Sequence, residues 1–156
     1  VSDYDIRTIG SDIAIALRTA LLDRSADGLA DRTPGDDSPT ARHIGAYYEG
    51  TLVGVASIHP QSMPGGYTAG AWRLTGVAVE HGHRGYGVGS LLVGKVLEHA
   101  ASADSRVVWC FAPAGAFGFF QRHGFNRSGE PMESAEGGPQ YLLFAEVGPL
   151  RRSWAL

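Results

Sequence analysis

Apolar positions alternate with polar ones in some stretches of the chain and recur every three or four residues in others. "YDIRTI" (Tyr4 to Ile9) predicts a short strand. "SDIAIALRTALLDRS" predicts a helix, with a Ser11/Asp12 cap signal followed by Ile13, Leu17, Ala20 and Leu21 at helical spacing. Residues 25–42, "SADGLADRTPGDDSPTAR", are dense in Asp, Pro, Gly and Ser and predict a loop, in which Asp36 and Asp37 read as solvated. "HIGAYYEGTLVGVASIHP" and "AGAWRLTGVAVE" favour strands. Glu49-Gly50 supplies a tight turn between the first two strands, and "PQSMPGGYTAG" a longer connection to the third, which makes an antiparallel meander.

In "SLLVGKVLEHAASA", Leu92, Val93, Val96, Leu97 and Ala100 fall on one helical face. "RVVWCFA" is a continuous apolar strand, "AGAFGFFQRHGF" a helix closed by Gly124, and "QYLLFAEV" a last strand before the tail "GPLRRSWAL". The order β-α-loop-β-β-β-α-β-α-β predicts a mixed α/β sheet in which a meander joins a crossover helix between parallel strands.

Size and charge narrow the function. A chain of 156 residues suits one domain, 1–156, large enough for a hydrophobic core. The 13 Lys+Arg against 16 Asp+Glu leave a net charge of -3, so no basic footprint for nucleic acid is expected. No apolar run is long enough to span a bilayer, and "VSDYDIRTIG" lacks the pattern of a signal peptide; a cytoplasmic protein without a membrane partner is expected. Cys110 is the single cysteine and, in an apolar strand, reads as a packed core residue.

The chemistry points to "RGYGVGS", where Gly85, Gly87 and Gly89 separate an apolar strand from a helix. Glycines at alternate positions free the backbone and clear side chains away from its amides. The first N–H groups of the following helix are unpaired and its dipole favours negative charge, so the turn suits a phosphate or diphosphate, with Arg84 at its lip. "GSLLVGKV" follows G-x-x-x-x-G-K but continues with Val96 where a magnesium-binding hydroxyl is needed. The dinucleotide pattern G-x-G-x-x-G fails at Ser90. His81 and His83 are too few for a metal site, and no metal is expected.

The motif R-x-x-G-x-G after "VAV", together with "LTGVAV", "SLLVGKVLEHA" and "AFGFFQRHGF", resembles the GNAT superfamily of N-acetyltransferases over nearly all the chain. "WRLTGVAV", "WCFAP" and "GPQ" are similar to motifs of a bacterial group of predicted acetyltransferases, with departures in the last two. The resemblance implies a mostly antiparallel mixed sheet with a splayed parallel strand pair and flanking helices. It implies acetyl-CoA as cofactor, the pantetheine arm paired with the backbone of Val77, Ala78 and Val79, and the diphosphate held by Arg84, Gly85, Tyr86, Gly87, Val88, Gly89 and Ser90. Phe120 would form part of the cofactor wall. The implied acceptor is a primary amine of a small molecule or peptide, and the implied assembly, common among similar proteins, a homodimer.

Transfer needs a base for the amine and, for the departing thiolate, an optional acid. The tyrosine that is often the acid in this superfamily is Phe120 here; Tyr141, Tyr47, Tyr48 or a water are the substitutes. For the base, the strand positions that carry Glu or His in some members hold Arg73 and Thr75, which leaves His59 or a water chain. Arg73 suits an acceptor carboxylate as well as it suits a plain ion pair. Two other readings stand beside the enzyme: a non-catalytic acyl-CoA-binding module, prompted by Phe120 and the missing base, and a nucleotide-binding protein.

Overall fold

A computed structural model of the chain describes residues 3–21, 35–67, 69–134 and 137–147. The elements follow the expected order: β1 (Tyr4–Ile9), α1 (Ser11–Leu21), β2 (Arg42–Tyr48), β3 (Thr51–Pro60), β4 (Ala71–Val79), α2 (Val88–Ser102), β5 (Val107–Pro113), α3 (Phe117–Gln121), β6 (Asn126–Arg127), β7 (Met132–Glu133) and β8 (Pro139–Glu146). Two short strands, β6 and β7, were not expected. The tail after Val147 and most of the 25–42 loop lie outside the described residues.

The strand order is β1-β2-β3-β4-β5-β8-β6, with β7 also pairing β8. β1–β2, β2–β3, β5–β8, β6–β8 and β7–β8 are antiparallel, while β4 and β5 are parallel. The β2–β3 turn has both Glu49 (φ 50°) and Gly50 (φ 83°) in the left-handed region, as a two-residue hairpin matched to strand twist requires. The parallel register covers only Ala71↔Val107, Trp72↔Val108 and Arg73↔Trp109, although β4 runs on to Val79. This is the splayed pair the resemblance implies.

The chain divides into two compact units, one from Val1–His59 and Leu74–Val96, the other from Pro60–Arg73 and Leu97–Leu156. In the first, Ala14 of α1 packs on Val55 and Ala78, with Ile9, Leu17, Leu21 and Leu52 around them. Gly54 lets α2 lie close: a Cβ there would come within 3.1 Å of both Leu92 and Val88. Leu92, Val93 and Val96 are fully buried, each contributing about 1.5–3 kcal/mol of apolar burial. In the second unit, Met63, Ala71, Val107, Trp109 and Leu142 form the core, and the indole Nε1 of Trp109 donates to the Gln61 carbonyl at 2.8 Å.

The buried face of α1 differs from the expected one. Ile13 is 50% exposed and Ala20 is exposed, whereas Ala14 and Arg18 are buried. Arginine at the centre of an apolar face is read as polar by periodicity, which turns the inferred face by one residue. No helix among the described residues is long and apolar enough to cross a membrane.

Candidate functional site

β4 leaves its last residue, Val79, through a 3-10 turn at His81–His83 and an extended Arg84. Gly85 (φ 86°) and Gly87 (φ 85°) both take left-handed backbone, and a Cβ at either would meet nothing within 4 Å. Conformation, not crowding, therefore demands glycine there, and the space over the turn is open. α2 begins at Val88, its first intrahelical bond running from the Leu91 amide to the Gly87 carbonyl at 3.1 Å. Gly87 is thus the cap, and Val88, Gly89 and Ser90 form the first helical turn, the part of a helix whose N–H groups point out of its end. Val88 is buried and pins this turn; Tyr86 stands 70% exposed. The Arg84 Nε donates to the Val79 carbonyl at 3.0 Å, folding a positive charge over the strand end.

One flank of the turn borders a cavity of about 660 Å³, lined among others by Tyr4, Tyr48, Gly82, His83, Tyr86 and Gly87. His83 is held there by Tyr4, whose hydroxyl lies 3.0 Å from Nδ1, and by the Tyr48 ring at 5.1 Å.

Gly76, in the middle of β4, is left-handed (φ 63°), and a Cβ on it would lie 2.5 Å from Arg18 Cδ. Arg18 crosses this glycine to reach Asp36, with Nη2–Oδ2 at 2.5 Å and Nη1–Oδ1 at 3.4 Å, both side chains buried. The reading of Asp36 as solvated is corrected here: it is 3% exposed, because a fully buried guanidinium needs a buried anion. The Asp36 carbonyl accepts from His43 Nε2 at 3.0 Å, and His43 Nδ1 lies 2.7 Å from Ser57 Oγ. Sequence reasoning missed this polar row; its one signal was Arg18, four residues after Ala14 on an apolar helical face.

The catalytic candidates differ in their surroundings. His59 is on β3, 5% exposed, its ring so close to Gly35 that a Cβ there would lie 2.2 Å away. Arg73 is half-buried on β4, its guanidinium 5.1 Å from the Trp109 ring centre, with a buried Nε that has no partner. The buried Thr75 Oγ1 is likewise unpartnered. Tyr141 on β8 packs edge-on to Phe117, beneath the Arg127 guanidinium at 4.6 Å. Of the alternative tyrosines, Tyr47 lies under Arg7 and Tyr48 within the His83 cluster.

Phe120 is buried between Phe119 and Phe125, in the five-residue helix α3, and the left-handed Gly124 lies in the turn that follows it. Cys110 is buried, and burial pushes its thiol up to about 12, against a smaller opposing pull from Arg73; it is a core residue. Gly94 and Lys95 are exposed inside α2, so the G-x-x-x-x-G-K match forms no loop.

Residues 15–125 match the model of the acetyltransferase (GNAT) family. The chain is 30% identical over 129 residues to YitI of Bacillus subtilis (strain 168), an uncharacterized N-acetyltransferase, covering 83% of this chain and 87% of that protein. Among solved structures, a Lactobacillus plantarum protein assigned as an N-acetyltransferase superposes with a TM-score of 0.74 at 17% identity, over 94% of this chain and 99% of that one. An aminoglycoside 6'-N-acetyltransferase complexed with coenzyme A gives 0.68 at 15% identity, over 91% and 96%.

Proposed function

Because the chain belongs to the acetyltransferase (GNAT) family and is an N-acetyltransferase on that ground, we propose that it moves an acetyl group from acetyl-CoA to a primary amine of a small molecule or peptide. The amine attacks the thioester directly, in the bacterial cytoplasm, where acetyl-CoA is made and used.

The turn at 84–90 is the observation that carries the reading. Two left-handed glycines with open space above them lead into the N-terminus of α2. That arrangement fits a diphosphate, since it presents donors and a positive dipole end without a side chain in the way. In this reading Arg84, Gly85, Tyr86, Gly87, Val88, Gly89 and Ser90 hold the diphosphate. The backbone of Val77, Ala78 and Val79 aligns the pantetheine arm as an added strand along β4. With the Val79 carbonyl bound to Arg84, Val79 contributes its amide. Phe120, buried behind its helix, supports the wall without donating a proton.

Acetyl-CoA supplies an acyl carbon already activated by a thiol leaving group with a pKa near 8.5. The chain has to position rather than activate, and orientation alone is worth several orders of magnitude in rate. Deprotonation of the amine falls to His59 or a water, and return of a proton to the sulfur to Tyr141 or a water. The nonpolar Phe120 favours one second reading, an acyl-CoA-binding module without turnover.

Calorimetric titration of the full chain with acetyl-CoA and CoA, followed by thiol release over a panel of amines, tests both readings. Saturable cofactor binding with amine-dependent release is expected. Absence of saturable binding overturns the proposal, and tight binding with no release for any amine points to the module.

A further inference from the structure

Arginine is the side chain least able to shed its charge, so a guanidinium drawn out of water needs an anion or hydrogen-bond acceptors around it. Arg73 has no such anion among the described residues. Its Nε is buried without a partner, while Arg7 pairs with Asp5 and Arg18 with Asp36. What Arg73 does have is an aromatic floor: the guanidinium carbon lies 5.1 Å from the Trp109 ring centre and 5.5 Å from that of Phe111, two rings that meet edge to face. Aromatic faces hold a cation without using its N–H donors.

Among the described residues no anion neutralises this charge. Burial lowers Arg73 from its ordinary value, and the nearby Cys110 thiol, pushed up to about 12, stays neutral near pH 7. The diphosphate of the cofactor is not the missing anion. Arg73 precedes Val79 by about six residues, roughly 20 Å of extended chain, so the turn beyond Val79 holds its phosphates far along the strand. A planar anion that accepts two parallel N–H bonds fits this fork best.

We propose that Arg73 binds a carboxylate of the acceptor, so that the amine acetylated by this chain belongs to a small amino acid. This rests on the N-acetyltransferase reading and names the substrate class it left open. An uncompensated guanidinium also discriminates against polycationic amines by repulsion.

The test uses the CoA-loaded and acetyl-CoA-loaded full chain. Each of the twenty standard amino acids, and β-alanine, is compared with its carboxamide, and spermidine serves as the polycation. Transfer is read as kcat/KM by thiol release; binding is read from the Arg73 Nε–H resonance of labelled protein during titration with the same amino acids. At least one amino acid should exceed its amide by tenfold or more and move that resonance. Arg73→Gln should equalise the pair by lowering only the carboxylate member, Arg73→Lys should retain part of the preference, and both variants should bind CoA as the wild type does.

The inference falls if acids and amides react alike, if Arg73→Gln slows both alike, or if no amino acid shifts the resonance at saturation. Transfer to amides or spermidine without a carboxylate preference would remove this inference and leave the acetyltransferase reading standing. Loss of CoA binding in the wild type would remove the reading, while the resonance titration would still decide whether Arg73 takes a carboxylate.

Discussion

Arg18 Nη2 and Asp36 Oδ2 lie 2.5 Å apart with both side chains 1% exposed, joining helix α1 to the turn that precedes β2. Cutting one member of such a pair strands the other charge away from water, which costs about 3–5 kcal/mol. Asp36→Ala and Arg18→Ala should each destabilise the chain by that amount in urea unfolding. The double variant Arg18→Met/Asp36→Leu should recover most of the loss, because two apolar side chains leave no stranded charge.

Gly76 sits under the same arginine. Alanine there meets two obstacles, a left-handed backbone that costs an L-residue roughly 1–2 kcal/mol and a Cβ 2.5 Å from Arg18 Cδ. Gly76→Ala should therefore lower Tm more than backbone strain alone explains. Combining it with Arg18→Met should show a coupling that separate sites would not.

At the turn, a Cβ on Gly87 would meet nothing within 4 Å, and what opposes Gly87→Val is φ 85°. Its expected effect is a loss of at least tenfold in CoA affinity, or about 1.4 kcal/mol, seen by calorimetry. Gly82→Ala, in the same connection without a left-handed φ, should leave that affinity unchanged.

Gly94 is exposed within α2, with nothing near its missing Cβ. Gly94→Ala should raise stability by about 0.5–1 kcal/mol, through propensity and a stiffer unfolded chain, and leave CoA affinity as it is. A drop in affinity would mean that Gly94-Lys95 has a ligand-binding role after all.

The Cys110 thiol is pushed up to about 12 by burial, from an ordinary value of 9.0. The folded state thus keeps its proton where the unfolded state loses it. Stability from this group is whole below pH 9 and falls between pH 9 and about 12, by about 1.4 kcal/mol per pH unit. Urea unfolding of the wild type and Cys110→Ala at pH 8, 9 and 10 should show the wild type losing stability relative to the variant as pH rises, so that its advantage at pH 8 shrinks by pH 10. In native protein at pH 8, thiol reagents should fail to label Cys110.

Element order was legible because long segments such as Val88–Ser102 and Val107–Pro113 carry one clear period or one continuous apolar run. β6 and β7 were not, since two residues cannot alternate. The glycine turn could be read because Gly85 and Gly87 stand just ahead of the apolar period of α2. Asp36 could not, because the composition of its loop says solvent, and only the fold brings Arg18 to it. Arg73 was visible as a residue, but its vacant Nε and its aromatic floor come from the register Arg73↔Trp109 across a crossover of some 30 residues, which periodicity does not encode.

In the row from Ser57 through His43 to the Asp36 main chain, a carbonyl oxygen can only accept. The hydrogen of a neutral His43 ring is therefore on Nε2, and the Ser57 hydroxyl must point its own hydrogen at Nδ1. Every proton in the row has one permitted direction, so the imidazole is a keyed peg: flipped, or in its other tautomer, it would let go of the backbone that carries Asp36.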